Sequence, residues 1–153
     1  MNRVRPGAPS SAYGLGVDLG TSFTGVAIGR RGHTELTNLG NRTMVAPSVI
    51  FASREGRLLT GEVAARRALQ DPGRSARDFK RRLGDPTPLM IASAPYSPVK
   101  LMAALLKDVV EEAVRVHGSA PEQVVLSQPA VWVRTGASSS PRCPGWPGWV
   151  RSR

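Results

Sequence analysis

With 153 residues, 41% hydrophobic and 21% charged, the chain has the composition of a globular domain or part of a larger one, not of a disordered segment. Its formal net charge of +10 suggests an anionic partner. Yet Arg3, Arg5, Arg134, Arg142, Arg151 and Arg153 lie outside residues 13–133 with no acid beside them, and removing these six leaves +4 for the body. A single cysteine, Cys143, excludes an internal disulfide, two histidines offer no zinc-type cluster, and the longest apolar run, Leu101–Leu106, is too short to span a membrane.

Residues 1–12, rich in Pro, Ser and Ala, read as a flexible arm; their basic start lacks the apolar core of a secretory leader, so a cytoplasmic location is expected. Tyr13–Leu19 and Thr24–Gly29 are predicted strands around a short Gly-Thr-Ser turn, with a third over Thr34–Leu39. Pro47–Ser53 and Arg57–Gly61 predict two further strands joined by Arg54-Glu55-Gly56. Gly61–Gln70 predicts a short helix ended by Asp71-Pro72-Gly73. The clearest helix starts at Ser97, a good N-cap, followed by Pro98 at the first helical position. Met102, Leu105, Leu106, Val109, Val110, Ala113 and Val114 form its apolar face, and Gly118 suits a left-handed cap. Glu122–Ala130 then reads as a buried strand ended at Pro129. Strand, helix and strand in this order predict an α/β fold, and no internal repeat is visible.

The stretch Gly16-Val17-Asp18-Leu19-Gly20-Thr21-Ser22 ends an apolar strand on a carboxylate and turns through glycine and hydroxyl residues. That pattern suits a metal–phosphate group. Mg²⁺ keeps several waters and needs only one or two carboxylates beside phosphate oxygens, while turn N–H groups and hydroxyls can face those oxygens. Gly20 would let the backbone approach closely. Two other phosphate loops fit worse: no Gly-Lys-Ser/Thr is present, and Gly14, Gly16 and Gly20 are spaced one residue too long for the dinucleotide fingerprint. Taken alone, the stretch describes a polar hairpin turn equally well.

The segment Gly16–Gly29 resembles the first phosphate hairpin of the actin-like ATPase superfamily, which includes sugar kinases, actin and the seventy-kilodalton heat-shock chaperones. Three further stretches resemble the heat shock protein 70 (DnaK-type) branch: Gly40-Asn41-Arg42 through Pro47-Ser48, with two extra residues before Pro47; Arg77–Asp85, with Lys80-Arg81-Arg82; and Val124–Trp132, with Pro129-Ala130. They occur in the family's order and span most of residues 13–132. The resemblance implies a partial actin-like ATPase (ribonuclease H-like) nucleotide-binding domain, first lobe only, over residues 13–133.

Residue by residue, the resemblance implies ATP or ADP with Mg²⁺ as cofactors, Asp18 contacting the Mg²⁺ shell through water, and Gly20, Thr21 and Ser22 holding the β- and γ-phosphates. Phe23 extends that segment where the family often has a polar residue or tyrosine, and packing alone would also account for it. Lys80 matches the lysine that orients the attacking water and stabilises charge on the transferring phosphoryl group; without the resemblance, Lys80–Arg82 reads as a solvated charge run. Pro129 matches a proline that relays nucleotide state to a neighbouring domain, although prolines also commonly end strands. Implied partners are nucleotide, unfolded peptide clients, J-domain co-chaperones and nucleotide-exchange factors.

Residues 134–153 lack periodicity where the family continues into a helix. They are expected to be an irregular tail read out of frame, since a shifted frame with permissible codons gives a helix-compatible continuation. The expected function is therefore the N-terminal portion of a DnaK-type chaperone ATPase, holding half a phosphate clamp and inactive alone. A sugar-kinase-like phosphotransferase fragment shares the first hairpin but not the later segments. A basic nucleic-acid-binding module has only the end-loaded arginines in its favour. An orphaned sheet edge and an apolar helix face awaiting the missing half are also expected.

Overall fold

The computed structural model describes residues 12–38, 44–127 and 149–151. Among the described residues the main sheet has six strands. Its centre is the hairpin of β1 (Gly14–Leu19) and β2 (Phe23–Arg30), flanked by β3 (His33–Leu36) and β4 (Val45–Pro47). The hairpin is antiparallel, with Asp18 opposite Gly25 and Val17 opposite Val26. β10 (Gln123–Leu126) runs parallel to β1, with Val17 opposite Leu126. On its far side β11 (Trp149–Arg151) pairs in parallel, so part of the stretch expected to be irregular lies at the sheet edge.

A second sheet, β6-β5-β7, is built from β5 (Ile50–Ala52), β6 (Leu58–Thr60) and β7 (Ser75–Ala76). Helix α1 (Gly61–Gln70) spans the predicted residues and buries Ala64 and Ala68 beside Val49 and Phe51. A hairpin of β8 (Leu89–Ile91) and β9 (Ala94–Tyr96) then leads into α2.

Helix α2 (Pro98–His117) is bounded as its sequence requires. The Ser97 side chain accepts from the Lys100 amide at its start, and Gly118 ends it at φ 74°. Its apolar face is not orphaned. Leu101, Met102, Leu105, Leu106, Val109, Val110 and Ala113 are buried in one cluster with Leu15, Val17, Leu19, Val26, Ile28 and Val124. The expected exposed face is corrected here, because the sheet of this chain already covers it. Exposed apolar side chains occur elsewhere, among them Phe23, Leu36, Met44, Val63 and Leu69. No helix among the described residues is long and apolar enough to cross a membrane.

The foot of α2 is tied to the sheet by a polar–aromatic cluster. Arg30 donates to His117 Nδ1 at 3.0 Å, the His117 and Tyr13 rings lie 4.8 Å apart, and the Tyr13 hydroxyl donates to the Ser119 carbonyl at 2.9 Å. Accepting at Nδ1 places the neutral ring's proton on Nε2, which is buried with no partner among the described residues.

Candidate functional site

The β1–β2 turn forms a corner at the ends of the main sheet's central strands. β1 alternates, burying Leu15, Val17 and Leu19 and leaving Asp18 exposed on the other face. Directly after it, the Gly20 amide donates back to the Asp18 carbonyl at 3.0 Å. A Cβ on Gly20 would lie 2.2 Å from the Phe23 carbonyl oxygen, a backbone atom that cannot step aside. Glycine is thus required by close approach rather than by a left-handed angle.

Ser48 anchors this turn from β4's side. Its amide donates to the Ser22 carbonyl at 2.8 Å and its hydroxyl donates to the Gly20 carbonyl at 2.9 Å. Because that uses Ser48's only hydroxyl proton, the contact of 2.9 Å with Thr24 must be donated by the Thr24 hydroxyl. Both side chains are buried, Thr24 at 1% and Ser48 at 2% exposure, so the network is protected from water. Ser127 approaches from β10: its amide donates to the Val17 carbonyl at 3.1 Å and its hydroxyl donates to Asp18 Oδ1.

Lys80 reaches the same corner from 61 residues away, its Nζ donating to the Leu19 carbonyl. It sits on a 3₁₀ turn, Phe79–Arg82, that buries Phe79 to 1% exposure and starts from Asp78 at φ 54°. Arg82 donates to Asp85 Oδ2 at 2.8 Å just beyond. That hydrogen bond, with the Thr87 amide, holds the Asp85 carboxyl down at about 2.

Of the residues singled out by sequence, the structure thus brings together Asp18, Gly20 and Lys80, with Thr21 half-buried and Ser22 exposed beside them. Phe23 opens β2 and is 57% exposed. Pro129, residues 40–43 and most of the tail lie outside the described residues. Ser48 and Ser127 were missed as site residues. Ser48 stood in the Pro-Ser pair that carried part of the resemblance, and Ser127 becomes visible only when β10 is laid parallel to β1.

The donor set fits a hydrated Mg²⁺–phosphate group: one exposed carboxylate, a turn with no room for a side chain at Gly20, two hydroxyls and a cation behind it. Among the described residues no group of three or more His, Cys, Asp or Glu could hold a metal ion alone. A cavity of about 210 Å³ lies between β2, α1 and α2, and neither Asp18, Gly20 nor Lys80 lines it.

This α/β sheet, with a carboxylate, a bare glycine and an incoming lysine at the ends of its central strands, agrees with the partial actin-like ATPase domain that the resemblance implies. The family described as Hsp70 protein matches residues 14–124 of this chain. The chaperone protein DnaK of Elusimicrobium minutum (strain Pei191) is 30% identical over 122 residues, which is 76% of this chain. The chain belongs to the Hsp70 family. It spans 19% of the length of that relative.

Proposed function

We propose that this chain is the N-terminal portion of a DnaK-type chaperone ATPase and carries one half of an ATP/ADP–Mg²⁺ clamp. The observation that most supports this reading is the arrival of Lys80 at the Asp18–Gly20 turn, since neighbours in sequence cannot explain it. Bound Mg²⁺ would offset charge on the phosphate oxygens. Asp18 would accept hydrogen bonds from the ion's waters, while Gly20, Thr21 and Ser22 would present amides and hydroxyls to the β- and γ-phosphates. The Lys80 ammonium, held at Leu19, would orient the attacking water and stabilise charge on the transferring phosphoryl group. Ser127 would fix the Asp18 rotamer through its hydrogen bond to Oδ1.

Phosphoryl transfer depends on groups positioned from both sides, so the chain alone is expected to hydrolyse no ATP and to bind nucleotide weakly. In a whole protein, Pro129 would relay nucleotide state, with peptide clients, J-domain co-chaperones and exchange factors as partners in the cytoplasm under stress. Residues 134–153 are proposed to be read out of frame, and sequencing the locus around the Trp132 codon tests this. For the site, purified chain is assayed for phosphate release and for Mg-ADP binding, with Asp18→Ala and Lys80→Ala alongside. Weak binding lost in both variants, without turnover, supports the reading. Turnover that depends on both residues would overturn the half-site, and binding indifferent to both would overturn the corner.

A further inference from the structure

The turn between β5 and β6 is closed by three hydrogen bonds. The Ser53 amide donates to the Arg57 carbonyl at 2.8 Å, the Gly56 amide donates to the Ser53 carbonyl at 3.1 Å, and the Arg57 amide donates to the Ser53 hydroxyl at 3.1 Å. Facing it across a cleft of about 500 Å³ are the last turns of α1 and the chain just beyond, which contribute Arg67 and Arg74. Arg54 and Arg57 line the turn side, with Phe51 and Leu59 behind. None of these residues belongs to the Asp18 corner.

Four arginines from three separate elements therefore line one concavity. Arg74 is fixed there, donating from Nε to the Ala52 carbonyl at 2.8 Å and from Nη2 to the Ser53 carbonyl at 2.9 Å. Only two of its five N–H donors are accounted for by these bonds. Glu55 and Asp71 also line the cleft, which leaves two positive charges in surplus. Among the described residues the ion pairs join Arg82 to Asp85, Lys107 to Glu111 and Arg115 to Glu112, and none involves these four arginines. Isolated surface arginines are ordinary. Four sharing a cleft repel one another, and a counter-anion relieves that repulsion.

We propose that this cleft is a binding site for a compact polyphosphate-bearing small molecule, separate from the Asp18 corner. Guanidinium forks match phosphate oxygens in a bidentate manner, and the volume lies within the roughly 300–1,000 Å³ of small-molecule sites. The Phe51 and Leu59 wall would accept an apolar moiety attached to the phosphates.

The test is a titration of the full ¹⁵N-labelled chain with tripolyphosphate in EDTA, which removes any metal-dependent binding at Asp18. Amide shifts confined to residues 53–57 and 67–74 are expected. Arg57→Gln with Arg67→Gln should weaken binding about tenfold or more, as should Arg57→Lys with Arg67→Lys, which keeps the charge and loses the fork. Removing the same two charges elsewhere, by Arg31→Gln with Lys107→Gln, should change affinity by less than about twofold. Shifts scattered over the chain, equal weakening by both neutralising pairs, an unaffected lysine variant, or no binding would each overturn the site. Should an arginine variant not fold, the location of the wild-type shifts alone decides.

Discussion

The two faces of the main sheet differ sharply in what they hold. One face carries Leu15, Val17, Leu19, Val26, Ile28 and Val124, all buried beneath α2. The other carries Gly14, Gly16, Asp18, Gly25, Ala27 and Gly29, half-buried or exposed, with glycine, alanine or a carboxylate at every one of these positions. The same two strands supply both faces because side chains alternate. Burial is thus concentrated on the α2 side, while Asp18 projects from the side that contributes least to packing. Variants on the two faces should separate stability from site geometry.

The largest effect is expected on the packed side. Leu105 is 2% exposed, and Leu105→Ala leaves a cavity between α2 and the sheet. A loss of about 2–5 kcal/mol is expected in urea unfolding, a large fraction of the stability of any domain. A loss below about 1 kcal/mol would break the comparison, since α2 would then not be the sheet's main cover.

Next comes the corner's own scaffold. Ser48→Ala removes the donor to the Gly20 carbonyl and leaves the Thr24 hydroxyl without its acceptor in a buried site. About 1–3 kcal/mol should be lost. Amide exchange should quicken first at residues 20–24, before α2 responds. Uniform quickening along the chain would mean that Ser48 supports the core and not the turn in particular.

Much of this division was legible in the sequence. The apolar spacing of α2 and its Ser97 and Gly118 caps gave its bounds directly, and Gly61–Gln70 was readable from its breaker at Asp71-Pro72-Gly73. Asp18 stood out as a carboxylate ending an apolar strand, and that it faces away from the core shows only in the burial alternation of β1. The β8–β9 hairpin was not legible, because its turn uses Ala92 and Ser93 at φ 52° and 64°, where Asn-Gly is the usual signal. β4 and β7 are only three and two residues long, too short for a period to show. The third strand was placed over Thr34–Leu39, whereas β3 spans His33–Leu36 and exposes all four side chains. Within the site, Asp18 and Gly20 stood out by local chemistry. Ser48 and Ser127 act across strands, and no local pattern marks such partners.

A smaller effect is expected from acid at the foot of α2. Burial and the neighbouring Arg30 guanidinium lower the His117 pKa, against a weaker opposing pull from Glu35. Neutral His117 is therefore favoured in the folded chain. In the unfolded chain it takes up a proton first as pH falls below about 6.5. The stabilisation is full above that value and is lost as pH falls toward the lower folded value. Unfolding free energy measured from pH 7.5 to 5 should decline more in the wild type than in His117→Gln. Equal slopes would show that the Arg30–His117–Tyr13 cluster does not hold α2 to the sheet.

The smallest effect tests the bare face. Among the described residues a Cβ on Gly14 meets nothing within 4 Å, and one on Gly16 meets Ala27 at an ordinary 3.6 Å. Neither glycine has the positive φ found at Gly32, Gly56, Gly61, Gly84 and Gly118. Packing among the described residues therefore does not demand glycine at either position, in contrast to Gly20. Gly14→Ala should leave stability unchanged or raise it by about 0.5–1 kcal/mol, by restricting the unfolded chain. Urea midpoints of Gly14→Ala and Gly20→Ala measured together sharpen the contrast, because only the second pushes a methyl group into backbone. If Gly14→Ala costs as much as Gly20→Ala, something in the folded chain already lies against this face, and the division between packed and bare sides does not hold.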